Sequence, residues 1–183
     1  MGRTVYYCAQ SLDGYIARAD DSIDWLTGFE GEFTGADELP LGETYERFMA
    51  GIGALVMGSA TYEFCAALPE WPYPDHPTWV LSSRDRRVPA GADVRLVNGP
   101  VGALHTDIVA STGHRDVWVV GGGNVASQYA DAGLLDRVEI TVVPVVLGGG
   151  KPLFDRALAA RLQLVSTKPF ANGMVELRYD VVR

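Results

Sequence analysis

The chain has 183 residues, 48% of them hydrophobic and 21% charged, with a mean hydropathy of +0.06, which fits one globular domain over residues 1–183. A formal charge of −8 argues against a nucleic-acid partner or an anionic membrane surface, whose phosphates most of the surface would repel. No apolar run approaches the ~18 residues of a membrane span, and the opening MGRTVYYCAQ is neither a signal peptide nor a myristoylation site, so a cytoplasmic location is expected.

Taken in chain order, TVYYCAQS (4–11) is rich in aromatic and β-branched residues and ends at an Asp-Gly turn signal, so it reads as a first strand. Residues 17–42 are polar and glycine-rich with little periodicity, and a loop this long in a compact domain is usually functional. In ETYERFMAGIG (43–53), Tyr45, Phe48, Met49 and Ile52 recur at helical spacing and predict an amphipathic helix. ALVMG (54–58) reads as a short buried strand, and SATYEFCAAL (59–68) as a helix opened by Ser59 or Thr61. The proline-rich PEWPYPDHP (69–77) can be neither helix nor interior strand.

TWVLSSR (78–84) and DVRLV (93–97) predict strands. PVGALHTDIVAST (100–112) predicts a helix with Pro100 near its first turn and Gly113 past its end. VWVVGGG (117–123) is a buried strand, NVASQYADAGL (124–134) a helix and RVEITVVPVV (137–146) a strand. Two alternating segments, 161–170 and 174–182, flank an Asn-Gly turn and predict an antiparallel hairpin. Strands alternating with helices imply a mainly parallel sheet covered on both faces, with an antiparallel edge.

Gly121 to Ala126 fits the pattern G-x-G-x-x-A between a predicted strand and a predicted helix. Such glycines either let helix and strand pack closely or bring bare backbone to a phosphate at a helix N-terminus. The pattern lies two-thirds along the chain and the next strand lacks an acidic residue for a ribose, so a standard dinucleotide-binding domain is not expected. VLGGGKPLF fails as a phosphate loop because Lys151 is followed by Pro152; Gly148–Gly150 is a tight loop or the rim of a pocket.

Ser82, Ser83 and Arg84 end a strand, where open α/β sheets bind ligands, and hydroxyls with a guanidinium suit a phosphate monoester. Gly58, Ser59 and Thr61 stand at a similar junction, where hydroxyls also serve as helix caps. The three junctions together point to a phosphorylated ligand along one sheet edge. His76, His105 and His114 are scattered, so no metal is expected, and no serine sits in a G-x-S-x-G elbow. Cys8 and Cys65 read as reduced thiols in core elements. Asp24 beside Trp25 is a carboxylate that an aromatic neighbour could shield, and that neighbour could stack on a heterocycle.

SLDGYIA, ALVMGSATYE, WVLSSR, VWVVGGGNVASQYADAGLLD and ITVVPVVLGGGKPLF, in this order, resemble the dihydrofolate reductase-like superfamily. The branch most like this chain is the C-terminal reductase domain of the bifunctional riboflavin-biosynthesis deaminase-reductase and its free-standing bacterial relatives. The resemblance runs from about Thr4 to Val182. It implies a three-layer α/β/α fold on an eight-stranded sheet, a homodimer, and an NADPH-dependent reductase.

By the same resemblance, Gly58, Ser59 and Thr61 lie by the cofactor pyrophosphate, and Leu81 to Arg84 receive the adenosine 2′-phosphate. Gly121, Gly122, Gly123, Asn124, Val125 and Ser127 wrap the pyrophosphate, while backbone at Ala9 and Ile16 faces the nicotinamide. Tyr15 stands where riboflavin-pathway reductases carry a basic residue suited to a phosphorylated sugar, and no deaminase domain with zinc ligands is expected ahead of the domain.

The expected activity is hydride transfer from NADPH to a C=N or C=O bond of a small pterin- or pyrimidine-like heterocycle. Asp24 or Glu43 would relay the proton, and Trp25 and Tyr45 would contact the substrate. A non-catalytic NADPH-binding protein and a true dihydrofolate reductase are the alternatives.

Overall fold

A computed structural model describes residues 2–29 and 41–183. The chain order is β1 (Thr4–Ser11), β2 (Tyr15–Ala17), α1 (Asp24–Thr27), α2 (Leu41–Ala50), β3 (Ile52–Gly58), α3 (Ser59–Ala66), β4 (Thr78–Leu81) and β5 (Val94–Val97). It continues with α4 (Val101–Ala110), β6 (Asp116–Gly121), α5 (Gly123–Asp131), β7 (Arg137–Val143), β8 (Lys151–Pro152), β9 (Arg161–Pro169) and β10 (Val175–Val182). No described helix is long and apolar enough to cross a membrane.

The main sheet has eight strands in the order β5-β4-β3-β6-β1-β7-β10-β9. The first six are mutually parallel, and β10 runs antiparallel to both β7 and β9. A parallel interior strand is buried on both faces, which is why IGALVMG and DVWVVG read as continuous apolar runs. One face carries Tyr6, Val56, Val119 and Ile140 under α4 and α5, where Ile108, Val125 and Tyr129 pack. The other carries Leu55, Met57, Val80 and Trp118 under α2 and α3, where Phe48, Met49 and Tyr62 pack. This is the expected three-layer arrangement, with the expected hairpin at its edge. The hairpin turns at Gly173, whose φ of 87° suits glycine.

The structure differs from the expectations at several boundaries. The expected 17–42 loop contains α1, while its residues 30–40 lie outside the described residues. The helix expected from Glu43 begins at Leu41 and stops at Ala50, because Ile52 and Gly53 belong to β3. The strand expected over 78–84 stops at Leu81, since the Ser82 hydroxyl binds the Arg84 carbonyl and turns the chain. Pro100 does stand next to the first turn of α4, as its N-cap with ψ 139°.

Two short strands, β2 and β8, pair with each other and tie the first loop to the segment after β7. Asp13 reinforces this link by accepting hydrogen bonds from the Leu147 amide (3.1 Å), the Gly148 amide (2.7 Å) and the Ser11 hydroxyl (2.6 Å). These bonds, led by the Ser11 hydroxyl, hold the Asp13 carboxyl below its usual range.

Candidate active site

The parallel strands all end on one edge. A cleft of about 1050 Å³ opens there, at the carboxyl ends of β1 and β6. The two strands lie side by side while the chain between them has crossed to β3, which makes this a switch point where open sheets bind ligands. Tyr7 and Ala9 of β1, Trp118 and Val120 of β6, and Thr141 of β7 line the sheet side. Thr61, Phe64 and Cys65, at i, i+3 and i+4 on α3, line the opposite wall together with Tyr45 of α2.

Gly121, Gly122 and Gly123 sit where β6 turns into α5, and each has a local reason to be glycine. Gly122 takes φ 80°. A Cβ on Gly121 would stand 3.1 Å from the Thr61 hydroxyl oxygen. A Cβ on Gly123 would overlap the Pro152 carbonyl oxygen and lie 2.8 Å from that of Leu153. The turn therefore lets α5 dock tightly onto the 151–155 segment. The Tyr6 hydroxyl anchors that segment from below, donating to the Leu153 carbonyl at 3.0 Å.

The tight turn also leaves a helix N-terminus facing the cleft. The Val125 and Ala126 amides donate to the Gly122 carbonyl, whereas the Gly123 and Asn124 amides precede any intrahelical partner, and both residues line the cleft. Asn124 and Ser127 are partly engaged within the protein. The Asn124 side-chain amide donates to Asp155 Oδ2 at 2.5 Å, and the Ser127 hydroxyl accepts from the Asp155 amide at 3.2 Å. Asn124, then Ser127, hold the Asp155 carboxyl below its usual range. Val125 is buried in the core beneath this junction.

The other two junctions stand on the neighbouring strands. Gly58 ends β3 and caps α3, and the Ser59 hydroxyl points at the Leu81 carbonyl at 3.5 Å. At the end of β4, the Arg84 amide donates to the Ser82 hydroxyl at 3.1 Å, and Ser83 and Arg84 are exposed. Among the described residues the Arg84 guanidinium has no hydrogen-bond or ion-pair partner, whereas Arg86 is paired with Glu63. Since β4, β3 and β6 are consecutive in the sheet, the three junctions span roughly 10 Å along one edge. The glycine turn, the open amides and the unpaired guanidinium fit the pyrophosphate and 2′-phosphate of NADPH. Thr61, Ala9, Ile16 and the three glycines face the cleft itself, while Gly58, Ser59 and Leu81 to Arg84 lie outside its lining.

The residues expected to carry the chemistry are less well brought together. Asp24 is 67% exposed, bonded to Arg18 Nε at 2.8 Å, and outside the lining. The Arg18 bond holds its carboxyl below the usual range, the opposite of what a proton donor near neutrality needs. Glu43 also lies outside the lining and pairs along α2 with Arg47 at 2.8 Å. Trp25 is buried against Val143, Phe170 and Met174, so its ring is core packing and not a cleft wall. A four-residue helix turns Asp24 outward and Trp25 inward, which adjacency in sequence cannot reveal. Tyr45 does reach the cleft.

Several lining residues had no place in the sequence-based site. Phe64 and Cys65 were legible as the helical companions of Thr61; Cys65 is a free thiol on that wall, whereas the free thiol of Cys8, between Tyr7 and Ala9 on β1, packs on the opposite sheet face with the Tyr6 cluster. Burial pushes the Cys8 thiol up to about 12 and the Cys65 thiol up to about 11. Tyr73, from the proline-rich loop, and Lys151 and Asp21, which face each other at 3.5 Å on the rim, come together only in the fold. Among the described residues no group of three or more His, Cys, Asp or Glu is placed to hold a metal.

Comparison with known proteins agrees with this architecture. The family model described as the RibD C-terminal domain matches residues 105–176. An uncharacterized Bacillus subtilis protein, YwjB, is 34% identical over 179 residues, covering 97% of each chain. The crystal structure of a putative riboflavin biosynthesis protein from Shewanella sp. PV-4 superposes with a TM-score of 0.81 at 27% identity, covering 99% of each chain. Dihydrofolate reductase from Enterococcus faecalis, complexed with NADP(H) and RAB-propyl, shares the fold with a TM-score of 0.64 at 17% identity, over 98% of this chain and 96% of the enzyme. Nearly end-to-end likeness to relatives of its own length, together with the family match, places this chain in the RibD C-terminal domain family, with a dihydrofolate reductase-like fold.

Proposed function

We propose that the protein is a cytoplasmic NADPH-dependent reductase that transfers a hydride to a C=N or C=O bond of a small heterocyclic substrate. The observation that carries this reading is the row of three junctions on β4, β3 and β6, ending in the open α5 N-terminus at the cleft. The reduced nicotinamide, when bound, supplies the hydride.

The chain's own residues bind, orient and exclude water. Arg84 and the Ser82 turn would grip the 2′-phosphate, and the Gly123 and Asn124 amides the pyrophosphate. Ala9 and Ile16 would flank the ring, and the apolar cleft would keep water from the reacting carbon. The acceptor heteroatom gains a proton as its carbon gains the hydride. Burial keeps the Tyr7, Tyr45 and Tyr73 phenols protonated, so each can donate a hydrogen bond that orients that heteroatom while water delivers the proton.

The test is uptake of NADPH by calorimetry, followed by its oxidation in the presence of pterins, pyrimidinones and quinones. Absence of NADPH uptake would refute the reading, and tight uptake with no turnover on any class would favour a non-catalytic binding protein. We take the protein as a homodimer. The exposed Leu164 and Val165 on edge strand β9 offer an apolar surface for a second copy, and light scattering tests this.

A further inference from the structure

The cleft has two chemically different regions. On its rim stand the exposed residues Asp21, Lys151, Asn124 and Asp155, with Lys151 already facing Asp21 at 3.5 Å. The inner wall is aromatic. Trp118 and Val120 alternate on β6 just before the glycines, so the tryptophan lies deeper than the phosphate end. Its indole is fixed: Nε1 donates to the Tyr7 carbonyl at 2.9 Å, and the rings of Tyr73 and Tyr45 meet it edge-on at 5.6 and 6.1 Å. With its single donor satisfied, Trp118 presents only an apolar ring.

The polar atoms of this inner region are neutral. They are the Tyr7, Tyr45 and Tyr73 phenols, the Thr141 hydroxyl and the Cys65 thiol, and burial holds the phenols and the thiol in their protonated forms. Lys151 is the one cation among the described lining residues. A phosphate monoester seated in the inner region would be stripped of water with no countercharge within the wall.

We infer that the substrate is an uncharged, planar, unsaturated ring compound that carries no phosphate, selected by the Tyr45, Tyr73 and Trp118 wall. Flat rings stack or abut aromatic walls favourably, and a ring carbonyl or imine finds neutral hydroxyl donors there. This inference rests on the reductase reading for its turnover but not for its binding.

The test uses matched pairs that differ by a phosphate monoester: riboflavin and flavin mononucleotide, and a ribosylaminopyrimidinone and its 5′-phosphate. Affinity is measured by calorimetry with and without NADP, and kcat/KM with NADPH. The phosphate-free member of each pair should bind at least about 30-fold more tightly. Tyr45→Lys, at a half-exposed position that tolerates a charge, should narrow that gap at least about fivefold by improving the phosphorylated member. Equal or better binding of the phosphorylated members, or no binding of either member, would overturn the inference. If NADPH does not bind, the reductase reading falls while the affinities measured without it still decide the selectivity of the wall.

Discussion

Replacing Arg84 by alanine tests its proposed contact with the cofactor 2′-phosphate separately from folding. Among the described residues the exposed guanidinium has no hydrogen-bond or ion-pair partner, so its loss should change folding stability by no more than about 0.5 kcal/mol. Its whole effect should therefore fall on the ligand. A charge-assisted bond to phosphate is worth about 1.5–3 kcal/mol, and exposure at the sheet edge places Arg84 at the lower end because solvent and salt screen it. The expected loss of NADPH affinity is thus about 1.5–2 kcal/mol, or roughly 10- to 30-fold in Kd. NADH lacks the 2′-phosphate and should lose almost nothing. Calorimetric titration of both cofactors into wild type and variant measures this directly, and raising the ionic strength should shrink the NADPH difference. Arg84→Lys should recover part of the loss, since it restores charge without the planar fork. Arg87→Ala serves as a neighbouring control. Equal losses for the two cofactors, or none for NADPH, would refute the assignment.

Gly123→Ala should destabilise the fold by about 1–3 kcal/mol in denaturant unfolding, because the new methyl meets two backbone carbonyls that cannot rotate away. Gly148→Ala, with open space but φ 73°, should cost only about 1 kcal/mol. Cys65 should alkylate slowly at neutral pH, since moving a thiol from 9.0 to about 11 lowers its thiolate fraction about 100-fold. Its alkylation should accelerate as pH rises towards that value, and rapid neutral labelling would contradict its burial. Burial pushes the Glu139 carboxyl above its usual range, with Arg178 at 3.0 Å only partly offsetting the effect. The folded state then binds the proton more tightly than the unfolded state does. Stability contributed by this group should therefore fall as pH rises from the ordinary carboxylate value through the raised one, and Glu139→Gln should flatten that part of the stability–pH curve.

The strands of the parallel sheet were legible because an interior strand covered on both faces must be apolar at every position, as in IGALVMG. The junctions were legible because glycines and hydroxyls follow those runs directly. β2 and β8 were not, because three and two residues carry no period of their own; they exist through their mutual pairing and the Asp13 bonds across more than a hundred residues. The cleft's aromatic wall escaped for another reason. In a strand buried on both sides, alternation does not say which face Trp118 takes, and Tyr73 reaches it from a proline-rich loop without periodicity. The first helix shows the converse limit, because Trp25 and Asp24 were read as partners and face opposite ways.

The central place of β1 has a consequence for biogenesis. Thr4 pairs beside Val117 and Val5 beside Arg137, so β1, synthesised well before both of its neighbours, must wait for nearly the last parallel strands. Until then its aromatic run stays without a ladder, and the nascent chain depends on holding TVYYCAQS away from other unpaired strands. A translation product that stops before Asp116 lacks both neighbours of its first strand, and should be cleared by proteolysis or aggregate rather than persist as a partly folded domain.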